Sequence, residues 1–300
     1  MNDNAQWMRK WSLIVGDDKD GLDISELHCD FSIEKTDASS PNTAEFTIFN
    51  PSPETIDKIK NAFTKIIVNA GYDSNFGLIF TGNIKGAFYG KKGTDSYVTI
   101  TAGDGDREYN YTVINKTIAA GSTPAERNNV LVGAMGMKTN YSSELRKDAL
   151  PRGRVFYGRP ADLLSEQSKT QDAIWSIQDG EVQILKRNEL LPNEAVLLTG
   201  QTGLIGRPER TEDGIEGECL LNPLLRIGAV VKLENSNFNE SVIKENKDTK
   251  EKTQANMNTD GLYRLISITH SGNNYGGEWS SKWKALDVNE TSKDDKVTSK

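Results

Sequence analysis

The sequence predicts a mainly β protein with a small α+β insert and two antiparallel β-barrel-like domains. Three observations carry this prediction: short alternating segments in both outer parts of the 300-residue chain, helix signals that are most frequent in the middle, and a weak internal repeat. The predicted domains are a first β-barrel domain over residues 1–112, an α+β insert over 113–192, a second β-barrel domain over 193–288 and a flexible tail over 289–300.

The first part of the chain has the pattern of short strands separated by turns. Ala44, Phe46 and Ile48 share one parity and Glu45 and Thr47 the other, which is the period of a half-buried strand. Evenly spaced strands of this kind favour an antiparallel barrel or sandwich. The predicted strands lie at 11–15, 26–34, 44–49, 66–70, 78–88 and 97–102.

A short helix is predicted directly after the third of these strands. Pro51 and Pro53 cannot donate a ladder hydrogen bond, so the strand must end before them. Ser52 is a favourable N-cap, and Ile56 and Ile59 then recur at helical spacing. The local unit is therefore a strand, a sharp exit and a short amphipathic helix.

The middle of the chain carries the other helix signals. Thr123 and Glu126 form a capping box with proline between them at the first helical position. A second helix is predicted to begin near Pro160. Asp179 and Gly180 stand between two strand-like runs, which is typical of a tight β-hairpin.

The last part returns to alternating segments. Strands are predicted at 215–219, 229–233, 262–270 and 278–286. On the last strand Trp279, Ser281, Trp283 and Ala285 fall on one face. The polar, highly charged stretch 235–260 is predicted to be a long hairpin loop, partly disordered when alone.

Two segments share an order of features that indicates an internal repeat. The first reads IIVNAGYDSNFGLIFTGNIKGAFYG and then SYVTITAGD; the second reads GAVVKLENSNF, then GLYRLISITHSGNNYGG and WSSKWKALD. Each has an apolar strand, a Ser-Asn-Phe turn, a strand opening with Gly-Leu and a further alternating strand. Three chains with two such barrels each would form a ring of six barrels from a threefold oligomer.

Composition excludes several classes of protein. The net charge of −7 and the lack of a basic block disfavour tight nucleic-acid binding, which requires clustered Lys and Arg. The two cysteines, Cys29 and Cys219, form no CxxC motif, so disulfide-scaffold and zinc-ribbon proteins are disfavoured. The start of the chain lacks a secretory signal and no apolar run could span a bilayer, so we expect a soluble protein made in a reducing cytoplasm.

Two residue patterns partly resemble metal sites, but neither predicts one. Asp104, Asp106 and Glu108 alternate around a glycine but lack the twelve-residue calcium-loop pattern, which favours a turn between strands. A zinc site would have to combine the adjacent pair His28 and Cys29 with residues far away in the sequence, Cys219 and His270. Adjacent strand residues point to opposite faces, so the sequence predicts no metal and no cofactor.

Two further functional patterns have plainer structural interpretations. The acidic residues of one stretch could supply a carboxylate pair for glycoside hydrolysis; they are Glu209, Glu212, Asp213, Glu216 and Glu218. The stretch is too short for such a domain, and Glu216 and Glu218 alternate as on a solvated strand face, so no catalytic residue is predicted. Trp279 and Trp283, with Tyr275, could form a carbohydrate-binding platform. Such a stripe more often belongs to a core or an oligomer contact.

Several stretches together resemble the baseplate hub proteins of contractile phage tails and related injection machines. They include SSPNTAEFTIFNPSPETIDKI, TITAGDGDREYNYTVIN, AAGSTPAERNNVLVGAMGM, YGRPADLLSEQSKTQDAIWSIQDGEVQIL and GLYRLISITHSGNNYGGEWSSKWKAL, and with the intervening segments they cover most of residues 11–286. The resemblance implies a trimer whose two barrel domains per subunit form a pseudo-hexameric ring between the tail tube and the membrane-piercing spike. This chain is shorter than many hubs, so accessory domains are expected to be reduced.

The resemblance therefore predicts a non-enzymatic structural hub in the virion, at the tail baseplate, assembled in the host bacterial cytoplasm. The expected partners are two further copies of the chain, the tail tube protein or tube initiator ring, the central spike and other baseplate proteins. Viral DNA would pass without specific binding, and no stable membrane association is expected. Two alternatives stay open: a host- or carbohydrate-binding tail module, and a hub that also degrades peptidoglycan.

Overall fold

A computed structural model describes residues 8–17, 19–187, 189–192, 195–211, 214–233 and 261–287 of the chain. The predictions of a disordered loop at 235–260 and of a flexible tail at 289–300 concern residues outside these ranges. Within the described ranges, each helix is too short or too polar to cross a membrane.

The described residues form eighteen strands and four helices. The strands before the insert are β1 (Arg9–Gly16), β2 (Gly21–Asp23), β3 (Cys29–Thr36), β4 (Thr43–Phe49), β5 (Lys65–Tyr72), β6 (Asn75–Lys92) and β7 (Asp95–Gly103). Those of the middle are β8 (Ile114–Ile118), β9 (Lys138–Ser142), β10 (Arg154–Gly158), β11 (Ala173–Gln178) and β12 (Glu181–Lys186). Those of the last part are β13 (Val196–Leu198), β14 (Leu204–Thr211), β15 (Gly214–Leu220), β16 (Val230–Leu233), β17 (Leu262–Asn273) and β18 (Trp279–Asp287).

Three of the four helices begin where the sequence predicts them, and α2 was not predicted. They are α1 (Pro53–Asn61), α2 (Asp106–Tyr111), α3 (Pro124–Ala134) and α4 (Pro160–Thr170). The Ser52 side chain accepts from the Thr55 N–H at the start of α1, and both hydrogen bonds of the predicted capping box are present at α3. The predicted hairpin at Asp179 and Gly180 joins β11 to β12.

The same strand order occurs twice in the chain. In the first unit β3, β4, β7, β6 and β5 are neighbours in that order, and in the second unit β14, β15, β18, β17 and β16 are. Each unit is a hairpin whose second strand adds to the last strand of a three-stranded meander. The internal repeat that the sequence indicates is therefore present as a repeated topology.

The two units also share a detail of their long middle strands. The pairing shifts register directly after Ile84 in β6 and directly after Leu265 in β17. At this point the Ile84 N–H donates to the Thr64 carbonyl at 2.8 Å and the Leu265 N–H donates to the Ala229 carbonyl at 2.9 Å. Because bulges tend to be fixed features of a fold, this correspondence aligns the two units residue by residue.

The mainly β prediction is confirmed, and the two units belong to one sheet of thirteen strands. They are joined where β3 of the first unit pairs with the second half of β17, from Thr36 opposite Ser267 to Asp30 opposite Asn273. Within the described ranges the recorded pairing is an open path, not two separately closed barrels. The β3–β17 pairing is the reason, because it continues the sheet of one unit into the other.

Three main hydrophobic cores lie behind the strands. Phe46 and Phe80 belong to the core of the first unit, Phe156 and Trp175 to that of the insert, and Trp283 to that of the second unit. Leu221 and Trp279 of the second unit are nevertheless part of the first core. The units are therefore connected by shared packing as well as by backbone pairing.

Some elements differ from the sequence prediction. The segment after Asp104 was expected to be only a turn, but Gly105 takes a left-handed φ of 65° and the helix α2 follows it. Strand β6 runs through the glycine and lysines that were expected to form a turn, and reverses only at Gly93. Strands β2, β8, β9, β10, β13 and β14 were not predicted, because most are short and their apolar alternation is weak.

Candidate assembly interface

The strands at the junction of the two units present one continuous polar surface, which we call the junction face. Its side chains alternate along each strand with buried residues, as the pleat requires. They come from β3, β4, β7 and β17, and none is a lysine or an arginine. They are Asp30, Ser32, Glu34, Thr43, Glu45, Thr47, Thr99, Thr101, Thr269, Ser271 and Asn273.

The pairing places the members of the junction face beside one another. Ser32 lies opposite both Glu45 and Ser271, and Glu45 lies opposite Thr101. The hydroxyls of Thr47 and Thr99 are 3.1 Å apart. The result is a surface of short side chains with three carboxylates, suited to repel phosphate and to offer it no cation.

Positive charge next to this surface is neutralised. Lys282 and Lys284 of β18 are exposed at its border. Lys284 Nζ lies 3.0 Å from a Glu216 carboxylate oxygen and Lys282 Nζ lies 3.7 Å from a Glu278 oxygen. The candidate glycosidase carboxylate Glu216 is thus part of an ion pair on a strand.

A buried histidine lies within the strands of the junction. His270 of β17 is 1% exposed and its Nδ1 lies 2.7 Å from the Ser281 hydroxyl. Burial, with a smaller contribution from the nearby charge of Lys35, lowers the pKa of His270 to about 3, so the ring is neutral at physiological pH. Its environment is that of a buried structural histidine.

The four residues of the hypothetical zinc set have separate environments. Cys29 and Cys219 are buried free thiols, and burial raises the pKa of both, that of Cys219 to about 12. His28 instead stacks on Phe49 and Tyr275. Over the described ranges no group of three or more His, Cys, Asp and Glu side chains is arranged to hold a metal ion.

Asp104 connects the insert to the first unit. Its fully buried carboxylate accepts the backbone N–H groups of Asp179 at 2.6 Å and Gly180 at 2.7 Å, at the tip of the β11–β12 hairpin. Lys35 pairs with the Asp179 side chain at 2.5 Å. Burial raises the pKa of Asp104 to about 7, with the Asp179 charge adding to the effect, while the two N–H donors and Lys35 oppose it.

The other carboxylates of the hypothetical calcium loop have different partners. Asp106 lies 3.1 Å from Lys85 Nζ, and Glu108 accepts from the Asn83 amide at 2.7 Å. Asp104, Asp106 and Glu108 therefore have different partners, and the role of Asp104 is to hold the insert.

The tryptophans of the hypothetical carbohydrate platform are buried. Trp279 is 3% exposed and packs edge-on against Trp11 and Phe31 in the first core, whereas Trp283 is 1% exposed in the second core. The remaining member, Tyr275, is exposed, and its hydroxyl donates to the Glu26 carbonyl. Core packing therefore explains both tryptophans, which is the interpretation that the sequence favours.

Two strands each have one edge that pairs with no described strand. The stretch 86–92 of β6 pairs with β7 on one side and with no described strand on the other. Strand β14 pairs with β15 and likewise has no described strand on its other side. The sequence does not predict these two edges, because they depend on which strands pair and not on the local pattern.

The insert exposes a second surface of a different character. Its two-stranded sheet of β8 and β10 buries Phe156 on one face and leaves Val155 and Tyr157 exposed on the other. Val113 and Tyr111 precede β8 and are 69% and 78% exposed. Neighbouring exposed apolar side chains of this size are typical of surfaces that bind another protein.

Comparison with known proteins decides the family. A family model described as "Baseplate hub gp41" matches residues 43–246, about two thirds of the chain. The chain belongs to this baseplate hub family. The resemblance seen in the sequence is therefore confirmed. No curated protein matches the sequence.

Solved tail proteins share the hub's fold. The 43 kDa tail protein of prophage MuSo2 from Shewanella oneidensis has a TM-score of 0.60 at 9% identity, covering 93% of this chain and 97% of its own. A tail protein from Neisseria meningitidis MC58 has a TM-score of 0.58 at 9% identity, with coverages of 94% and 97%. An Escherichia coli type VI secretion component is described as similar to phage T4 tail proteins gp27 and gp5. Its TM-score is 0.58 at 10% identity, and the match covers 95% of this chain and 78% of its own.

Family membership gives this chain a structural role in the tail and places it in the virion, at the tail baseplate. The identities to the solved structures are low, so those structures speak for the fold alone. What the hub chain assembles with has to be argued from its own surfaces.

Proposed function

We propose that this hub is a trimer whose six repeated units form a ring between the tail tube and the central spike, with an opening through which DNA passes. The observation that carries the proposal is the repeated strand order, with the two units joined edge to edge by β3 and β17. A threefold assembly of a twofold-repeated chain matches a sixfold tube above and a threefold spike below.

The junction face is the surface that we assign to the lumen of the ring. It is continuous across both units and combines hydroxyl side chains with Asp30, Glu34 and Glu45. Like-charge repulsion keeps phosphates away from such a wall, and the lack of Lys and Arg removes the usual phosphate contacts. DNA would therefore slide through without being held.

In this proposal the chain has no catalytic task. The glutamate of the candidate glycosidase pair is ion-paired with Lys284, and the tryptophans of the candidate sugar platform are in the core. The partners would be the tube protein or tube initiator ring, the spike and neighbouring baseplate proteins. Assembly would take place in the host bacterial cytoplasm, without stable membrane association.

The lumen assignment is tested by charge reversal in phage. The variant D30K/E34K/E45K is expected to eject DNA more slowly than wild type, because three lysines would bind the passing phosphates. The matched control E54K/E144K/D162K makes the same charge change at exposed positions away from the junction face. Ejection rates are measured on purified particles triggered in vitro. Unchanged ejection by intact particles of the first variant would contradict the lumen assignment.

A further inference from the structure

A lysine lies on the buried face of β3. Cys29, Phe31 and Ile33 are buried along this strand, and the next residue of the same parity is Lys35, which is 4% exposed. Its Nζ lies 2.5 Å from Oδ1 of Asp179, at the tip of the β11–β12 hairpin. Because lysine is almost never buried without a partner, this single contact decides how the side chain is accommodated. The contact joins the first unit to the insert.

The Asp179 side chain is held in a fixed position by its hairpin. Asp179 and Gly180 have left-handed φ angles of 56° and 84°, as the two central residues of a tight turn. The buried Asp104 carboxyl accepts the backbone N–H groups of both residues. An amine and a carboxyl fixed within hydrogen-bond distance are favourably placed to react, because proximity replaces a bimolecular encounter.

We propose that Lys35 and Asp179 condense to an intramolecular isopeptide bond, which joins the first unit covalently to the insert. The Lys35 ammonium gives one proton to the Asp104 carboxylate, and the resulting amine attacks Cγ of Asp179. The new C–N bond forms and one C–O bond of the carboxyl group breaks. The leaving oxygen takes a second proton from the nitrogen and the proton returned by Asp104. An ammonium and a carboxylate thus become one amide and one water, and no further reactant is needed.

Asp104 is suited to carry that proton. Burial raises the pKa of its carboxyl to about 7, the Asp179 charge adds to this effect and the Lys35 charge opposes it. Both reacting side chains are therefore close enough to influence Asp104 electrostatically. A group with a pKa near the ambient pH both accepts and returns a proton readily.

The surroundings give the released water a way out. Lys35 and Asp179 line a cavity of about 130 Å³ together with Gln183 and Arg226. The Asp179 side chain is 23% exposed and that of Lys35 is 5% exposed, so the carboxyl side of the pair faces the outside. The nitrogen side is enclosed by the protein, which hinders attack by water on the finished bond.

The bond would link positions 144 residues apart in the chain. A covalent link across a long loop restricts the unfolded chain more than one across a short loop. Since an amide bond does not open when the surrounding structure loosens, the insert would stay attached to the first unit under load. This inference does not depend on the proposed ring.

Intact mass spectrometry of the full-length protein, incubated at pH 7, tests the bond. We expect the wild type to weigh less than its sequence by the mass of one water. K35R keeps the positive charge but has no nucleophilic amine, so it should have its full sequence mass. D104N keeps both reacting groups without the proton carrier and should also have its full mass. The matched control K85R, in the ion pair of Lys85 with Asp106, should lose the water as the wild type does.

Tryptic peptides locate the bond. Linkage at Lys35 blocks cleavage there and joins residues 20–58 to residues 170–186 in one branched peptide. Asp179 could also lose water by closing a succinimide with the Gly180 nitrogen, but that loss would persist in K35R and leave Lys35 cleavable. Wild type at its full sequence mass, or a water loss that persists in K35R, would overturn the isopeptide bond. Water loss in folded D104N would overturn the role of Asp104 as proton carrier.

Discussion

At the scale of single residues, the buried carboxyl of Asp104 links two parts of the chain. Its carboxylate binds two backbone N–H groups at the tip of the β11–β12 hairpin and so attaches the insert to the first unit. The sequence draws attention to Asp104 only as part of an acidic turn, because its partners lie about 75 residues further along the chain. A contact of that kind is set by tertiary structure.

At pH 4 we expect the substitution D104N to destabilise the protein by about 1–3 kcal/mol, because both oxygens of the Asp104 carboxyl accept an N–H, whereas an amide can accept from one of the two donors while its own NH2 group faces the other. The control is D106N in the same loop. The Asp106 carboxylate makes a single ion pair with Lys85, so we expect D106N to lose less stability than D104N. Urea unfolding measures both. Equal stability of D104N and wild type would refute the anchoring role.

The raised pKa of Asp104 predicts that the stability of the wild type depends on pH in a way that D104N does not share. The pKa of Asp104 is raised from 3.8 to about 7 in the folded protein, so folding takes up a proton between these values. The stability contributed by this group therefore falls as the pH rises through that window, by up to about 1.4 kcal/mol per pH unit. Wild type should lose stability relative to D104N between pH 4 and pH 7. A constant difference between the two would argue against the raised pKa.

At the scale of elements, local signals predict most of what is locally determined. Two helix starts and one hairpin are predicted to within a few residues of their observed positions. The signals are the capping residues Ser52 and Thr123, the prolines after them and the hairpin pair at Asp179. The strands with clear alternation are found too. Strands β8, β10 and β14 are not predicted, because their sequences lack a regular apolar face. Each of them forms because of the strand with which it pairs.

The two tryptophans of β18 show how one alternating strand serves two cores. Each lies over a glycine of a neighbouring strand: a Cβ on Gly272 would come within 2.7 Å of the Trp279 ring, and one on Gly217 within 2.6 Å of the Trp283 ring. The sequence predicts that these side chains share a face. It does not reveal that Trp279 belongs to the core of the other unit.

We expect W279A to loosen the junction of the two units, with a loss of about 3–5 kcal/mol because a buried aromatic side chain is removed. Hydrogen exchange should rise in β3 as well as in β17 and β18, since Trp279 packs on Phe31. W283A, the matched change within the second core, should raise exchange in the second unit and much less in β3. Identical exchange patterns for the two variants would contradict separate cores.

At the scale of the whole molecule, the repeated topology is the basis of the proposed ring. In that proposal the two units with one strand order supply two of six positions, and the insert adds an exposed apolar surface. The sequence contains a trace of the repeat in its turn and strand order. Side-chain identity between the units is low, because their strands need only the same alternation and the same bulge.

The proposed threefold ring is best tested by the native mass of the purified chain co-expressed with its spike, followed by negative-stain imaging. We expect a species with three times the 33.2 kDa mass of one chain, plus the spike where it is bound, and a ring of about six lobes around a central opening. A monomer, or an oligomer without a central opening, would contradict it.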